Sequence, residues 1–371
     1  MSVGSILLTY AICFVPLMVI FAIMPYIGRR TLTFGVSIPS NVFDDERLKK
    51  MRGSFAATVV ILGVLLGAFS LLPYFLLDEN TAVLLMTVLV FVYIVLIGVL
   101  YITRFRKVKA IKKEEGWAQT APVITATDTK FSAHKRSVSA LWFLLYVVII
   151  AATLAAGLLL YEQIPEEVVM QSDFDGNPTR MVEKSMRLIM FAPAIQAAMA
   201  LLMGFVYWMM QRTPPVIDPE QPQVSSIQNA KFRYRWSAFI VFMGIVLILI
   251  FAFMQLTFIV TVPQSLTMWV TLGSTAVIVI TAIVLSITTG QSGSRIKIAK
   301  TKDGGTINRN DDKYWKGGAF YINKDDPALF VEKRFGVGFT INFGRPLAII
   351  LFVGILAVII GVSVLVSVLA G

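Results

Sequence analysis

With 371 residues, 57% of them hydrophobic, only 15% charged and a mean hydropathy of +0.76, the chain is too apolar for a soluble domain. One cysteine and one histidine exclude a disulfide framework and a cysteine-based metal site. The net charge of +11 would suit nucleic acid in a soluble protein, but the Lys and Arg residues lie between apolar runs, where they set membrane topology instead.

A helix needs about 20 apolar residues to cross the hydrocarbon of a bilayer. Eight runs qualify: 5–27, 54–77, 81–103, 140–161, 188–210, 237–261, 266–288 and 347–370. No Lys or Arg precedes the first run, so it lacks the basic start of a cleavable leader and is expected to stay as the first membrane helix. Cys13 lies within it as a small packing residue. After it, Thr31-Leu32-Thr33-Phe34-Gly35-Val36-Ser37-Ile38 reads as a strand stopped by Pro39, and Asp44 to Lys50 as a short charged helix. Spans two and three, joined only by Asp78-Glu79-Asn80, form an antiparallel hairpin. Residues 104–117 continue the third span as a basic helix, whose Arg104, Arg106, Lys107, Lys109, Lys112 and Lys113 suit anionic lipid headgroups. His134 follows in a loop beside Lys135 and Arg136 and carries no ligand or base role.

The loop 162–187 is acidic. Its Asp173-Phe174-Asp175-Gly176-Asn177 holds part of a calcium loop without the remaining spaced oxygens, so a turn capped by Asp and Gly is expected. Residues 213–226, with four prolines, read as an extended linker, and spans six and seven as a second tight hairpin around Pro263. Gly290-Gln291-Ser292-Gly293-Ser294-Arg295 lacks the Gly-Lys-Ser/Thr ending of a phosphate loop and reads as a flexible connector. Between it and the last span, Ala319 to Asn323, Leu329 to Glu332 and Gly338 to Phe343 alternate aromatic and polar residues in the manner of strands, predicting a small β-rich module. Pairing of that module with the strand near Phe34 is a further expectation.

Charge sets the direction. With the N-terminus outside, the inner segments 29–52, 104–136, 212–235 and 295–345 hold 30 of the 33 Lys and Arg residues. The outer loops keep Arg180, Lys184 and Arg187 against eight carboxylates. No charged residue falls inside any span, which argues against an ion-coupled pump. Gln196 and Gln255 are expected to make hydrogen bonds between helices, and Gly63 with Gly67 to let two helices approach closely. Pro16, Pro73 and Pro193 are candidate kinks.

Ile164-Pro165, Val168, Gly176 and Pro178 match the outer-loop pattern Leu-Pro-x-x-Ile-Pro-x-His-Phe followed by Gly-x-Pro-Asp, found between two spans of a bacterial membrane family of unknown function. The chain resembles that family, which includes the immunity proteins for the sporulation-delaying peptide toxin. It departs at Val169, Gln171, Ser172 and Thr179, where the family has Pro, His, Phe and Asp, so no metal or acid–base role is carried over. Residues 312–346, with Tyr314-Trp315-Lys316-Gly317-Gly318, Arg334-Phe335-Gly336 and Asn342-Phe343-Gly344-Arg345-Pro346, resemble a companion domain of unknown function. Phe34 to Pro39 resembles a segment following the first span in the same proteins. The resemblance implies an architecture and a Gram-positive setting, without an activity.

The resulting expectation is an all-α polytopic protein of the cell membrane, with eight transmembrane helices, a small β-containing cytoplasmic module and both termini extracytoplasmic. Its divisions are 1–138, 139–211, 212–288, 289–346 and 347–371. No nucleophile elbow, acid–base pair or cofactor fingerprint is present, so a non-enzymatic protein without cofactor, metal or catalytic residue is expected. A sensor or immunity-type role would use Glu166, Gln171, Asp173, Asp175 and Arg180 for an extracellular peptide or envelope component. Trp315, Phe320, Tyr321 and Phe339 would meet a cytoplasmic regulator. Anionic lipid headgroups complete the partners, and nucleic acid is excluded. The alternative is a transporter or channel for a neutral or lipid-like solute.

Overall fold

The computed structural model describes residues 3–117, 136–172, 178–217, 222–298 and 311–369. Its helices are α1 (Val3–Ile27), α2 (Glu46–Leu71), α3 (Pro73–Leu76), α4 (Glu79–Glu114), α5 (Phe143–Leu159), α6 (Met186–Arg212), α7 (Pro222–Ile259), α8 (Gln264–Thr289) and α9 (Pro346–Leu369). The strands are β1 (Leu32–Thr33), β2 (Val36–Ser37), β3 (Glu167–Ser172), β4 (Pro178–Glu183), β5 (Trp315–Lys316), β6 (Phe320–Tyr321), β7 (Phe330–Glu332) and β8 (Phe339–Ile341). They pair in sequence order as four separate antiparallel hairpins.

Among the described residues, seven helices are long and apolar enough to cross a membrane, and the described apolar part of α9, Pro346–Gly361, is shorter. The expectation of eight spans is therefore met at seven. Helix starts follow their caps. Asp45 accepts from the Arg47 amide at 2.8 Å to open α2, and Asp78 from the Thr81 amide at 3.0 Å to open α4. The charged stretch 44–50 is not a separate helix; with no breaker after Lys50, its residues from Glu46 onward are the first turns of α2. Pro73 interrupts that helix and starts α3, whereas Pro16 and Pro193 lie inside α1 and α6. Of the expected linker 213–226, residues from Pro222 onward belong to α7, and 218–221 lie outside the described residues.

The chain divides into two compact units. The first combines 1–134, 213–232 and 283–346. In it α1, α2 and α4 pack around Phe14, Phe55, Val59 and Tyr93, all fully buried. The α1–α2 approach depends on missing side chains. A Cβ at Gly67 would stand 1.9 Å from the Tyr10 ring, and one at Gly63 2.3 Å from Met18. Gly67→Ala should therefore destabilise the protein by about 1–3 kcal/mol through overpacking. Gly98→Ala, where an added Cβ meets nothing within 4 Å, should leave stability unchanged or slightly raised. Equilibrium unfolding of both variants in detergent micelles checks this, and equal midpoints would refute the close-packing account.

The stretch 31–38 is not one strand. Phe34 (φ 45°) and Gly35 (φ 76°) form a two-residue turn between β1 and β2. Left-handed backbone is unusual for Phe, but its ring is buried against Phe55, Tyr101 and Phe335 at 5.3–6.3 Å, and this aromatic contact holds the turn. The β5–β6 and β7–β8 hairpins lie within the predicted β-rich module and are joined by a Tyr321–Asn342 bridge. Buried Asn342 donates to the carbonyls of Asn323 (2.8 Å) and Ala328 (3.1 Å) and accepts from the amides of Asn323 (3.1 Å) and Gly344 (2.9 Å). Among the described residues no strand of the module pairs with β1 or β2; side chains make the link instead.

The second unit combines 135–212, 233–282 and 347–371. Here the expected interhelical amides are found: Gln196 donates to Thr153 Oγ1 (3.1 Å) and the Ile248 carbonyl (2.9 Å), and Gln255 to the Thr153 carbonyl (2.9 Å). Gly157 makes room for them, since a Cβ there would lie 2.3 Å from Gln255 Nε2. Between α5 and α6 the chain forms the β3–β4 hairpin, six residues in each strand, with an irregular register between Val169 and Ser172.

Candidate functional site

In the first unit, two groups of charged side chains are buried where β7, β8 and the turn before β5 meet the helix ends. Strand alternation places Glu332 on the same inward face of β7 as Phe330. Only 2% of its side chain is exposed. It accepts from Asn229 Nδ2 of α7 at 2.7 Å, from the Arg29 guanidinium just past the end of α1, and from Ser292 Oγ. Arg29 also donates to Ser292. Ser292 sits in a left-handed conformation (φ 56°) within the turn Gln291–Gly293 that follows α8. The expected flexible connector is thus a buried, hydrogen-bonded turn, because Gln291 Nε2 donates to the Lys333 carbonyl (2.7 Å) and Gly293 leaves no space for a side chain beside the Gln228 carbonyl. Arg295 donates to the final carbonyls of two helices, Tyr26 of α1 (2.9 Å) and Ile287 of α8 (3.0 Å).

The second group centres on Asp312. Its carboxylate accepts from Lys112 Nζ at 2.6 Å, from the Ser37 amide at 3.1 Å and hydroxyl at 2.8 Å, and from the Arg334 guanidinium. Arg334 also donates to Asp311 and to the Gly35 carbonyl (3.0 Å), and lies over the Trp315 ring at 5.1 Å. Burial disfavours the Asp312 charge, but Arg334 and Lys112 outweigh it and hold the carboxyl below its ordinary value. Lys112 therefore leaves the lipid-facing ladder: it is buried and paired, whereas Arg106, Lys107, Lys109 and Lys113 of α4 are exposed. Together the two groups tie the module to α1, α4, α7, the turn after α8 and the β1–β2 hairpin. The carboxylates and cations are mutually compensated, an arrangement suited to fixing position.

In the second unit, Ile164 and Val168 anchor the base of the β3–β4 hairpin against Leu188, Ile189, Phe258 and Ile259. The opposite face presents the cross-strand pair Val169 and Met181, both exposed. Glu166 extends into solvent with 92% of its side chain exposed and Lys184 at 3.9 Å. Gln171 stands opposite Arg180 in the ladder, and Arg180 is exposed. Asp173, Asp175 and the turn expected around them lie outside the described residues, as does His134. Of the four aromatic residues expected to meet a partner, Trp315 and Tyr321 are buried against each other (5.0 Å), and burial pushes the Tyr321 hydroxyl up to about 12. Phe339 is half-buried against Phe232, and Phe320 is exposed. Sequence reasoning missed Arg29, Asn229, Ser292, Asp312, Glu332 and Arg334 as a set.

The comparisons with known proteins fall on these two regions. A family model described as Domain of unknown function (DUF1648) matches residues 148–197, which is the end of α5, the β3–β4 hairpin and the start of α6. A second, described as Family of unknown function (DUF5808), matches residues 324–349, which contain β7, β8, Glu332, Arg334 and the start of α9. No curated protein and no solved structure matches the chain. The protein is thus similar over these two segments to two families of unknown function, within a chain built of long apolar helices like those of multi-pass membrane proteins.

Proposed function

We propose that this is a non-enzymatic sensor or immunity-type protein of the cell membrane. The β3–β4 hairpin recognises an extracellular peptide or envelope component, and the β module docks a cytoplasmic partner. One observation supports the reading: the β3–β4 hairpin, held at its base, turns the exposed cross-strand pair Val169 and Met181 outward. Phe258 and Ile259, near the end of the 38-residue α7, pack into that base, and the module is held separately by Glu332 on Asn229. At 1.5 Å per residue the helix is about 57 Å long, well over the roughly 30 Å of hydrocarbon. Eight spans with both termini extracytoplasmic follow from the concentration of Lys and Arg on one set of loops.

Replacing 166–180 with a Gly/Ser linker should abolish toxin protection or an envelope-stress reporter response while the protein remains in the membrane. Asn229→Ala should weaken the same response with the hairpin intact. An undiminished response in both would overturn the reading. The alternative, passage of a neutral or lipid-like solute, draws support from Gln196 and Gln255, whose buried Oε1 atoms accept no hydrogen bond among the described residues. Solute flux into proteoliposomes would favour that alternative, since the sensor reading predicts none.

A further inference from the structure

The β module buries Trp315, Tyr321 and Phe330 but leaves one apolar face open. Strand alternation turns Tyr321 inward and its neighbours Phe320 and Ile322 outward, with 57% and 39% of each exposed. Phe343 lies edge-on to Phe320 at a centroid distance of 5.6 Å, so the two rings form one surface. The Phe343 amide donates to the Tyr321 carbonyl at 2.8 Å, which fixes it beside β6. Basic groups border this surface: Lys316, the cross-strand neighbour of Phe320; Lys324, two residues past Ile322; and Arg345, whose guanidinium donates to the Lys324 carbonyl at 3.3 Å. Asp325 is exposed next to Lys324.

Three residues after Phe343 the chain enters α9, whose first turns expose Leu347, Ile349 and Ile350. We infer that the Phe320–Phe343 face is an interfacial membrane anchor, with the rings and Ile322 immersed at the headgroup level and Lys316, Lys324 and Arg345 on anionic lipid phosphates. The chemistry suits that occupant on three counts. Aromatic rings favour the boundary between water and hydrocarbon, and long basic side chains carry their charge back to the headgroups. The surface also sits within one helical turn, along the chain, of the point where an apolar helix begins, so it cannot be held far from the bilayer that α9 would enter. The inference assigns Phe320 to lipid instead of to a soluble regulator. It depends on α9 lying in the membrane, and under the sensor reading a regulator would then meet the module elsewhere than at Phe320.

The lone Cys13 makes the test direct. In full-length Cys13→Ser protein, nitroxide labels at Phe320→Cys, Ile322→Cys and, as the reference, Asp325→Cys are compared after reconstitution into phosphatidylcholine vesicles with and without phosphatidylglycerol. The labels at 320 and 322 should collide with oxygen several-fold more often than with a water-soluble nickel chelate, and the label at 325 should show the reverse. Lys316→Glu combined with Lys324→Glu should reduce the depth at 320 in the anionic vesicles and leave it unchanged in phosphatidylcholine alone. Water-like accessibility at 320 and 322 would overturn the inference. So would labels shielded from both reagents, as beneath a protein partner or a second copy of the chain. A depth insensitive to phosphatidylglycerol in both backgrounds would overturn the assignment of the basic residues to lipid phosphates.

Discussion

Glu332→Ala should lower the stability of the protein in detergent micelles by about 3–5 kcal/mol, the range expected when one partner of a buried ion pair is removed. The substitution removes the acceptor for Arg29, Asn229 and Ser292 together, and all three stay tethered by their own helices and turns. Glu332→Gln keeps the shape and an acceptor oxygen but leaves the Arg29 charge uncompensated, so an intermediate loss is expected. Arg29→Met combined with Glu332→Met removes both charges and should recover much of the loss, because a buried pair replaced by apolar side chains is often close to neutral. Equilibrium unfolding of the three variants gives the order. If Glu332→Ala unfolded like the parent protein, the carboxylate would have no structural part to play.

Asp312→Ala should have an effect of similar size, again about 3–5 kcal/mol, since Lys112 and Arg334 are both buried and would lose their shared carboxylate. The position also carries a pH signature. Asp312 titrates below its ordinary value of 3.8 when folded, so protonation weakens the folded state relative to the unfolded one. Its stabilisation is complete above the unfolded value and is lost as the pH falls through the lower folded one. The parent protein should therefore lose stability on acidification below about pH 4, and Asp312→Ala should remove part of that dependence while lowering stability near neutrality. A pair of unfolding series at neutral and acidic pH reads both. Identical acid sensitivity in parent and variant would place the ionic contribution elsewhere.

Much of the membrane architecture could be read directly from residue order. The apolar runs correspond to helices, Asp45 and Asp78 stand where caps belong, and the isolated glutamines found partners across helices because an unpaired amide in an apolar bundle is costly. The β1–β2 turn was less visible. Its first left-handed residue is Phe34, a type that rarely takes that conformation, and only the surrounding rings explain it. The β3–β4 strands escaped notice for a different reason. Glu166, Glu167 and Glu183 flank short Val and Met pairs, so charge suggested a loop where backbone pairing makes a hairpin.

The buried charge groups were the hardest to foresee. Counting basic residues by loop treats Arg29 and Lys112 as equivalent to their exposed neighbours, because each satisfies the same topological preference. Their burial comes from carboxylates far along the chain. A usable signal did exist at Glu332, whose spacing from Phe330 puts it on the inward face of a strand. No comparable periodicity marks Asp312, which lies in a short turn ahead of β5. Trp315 and Tyr321 illustrate the converse, since aromatic residues in a polar stretch suggested a surface for partners but formed the module's own small core.

The span of these pairings bears on how the protein is made. Arg29 leaves the ribosome 303 residues before Glu332, and Lys112 leaves 200 residues before Asp312. Until residues 312–332 have been made, both cations wait on a partly assembled helical scaffold, and that later segment is the one that neutralises them. A nascent chain that stops before Asp312 thus keeps both cations uncompensated, a partly assembled state of the kind prone to misfolding.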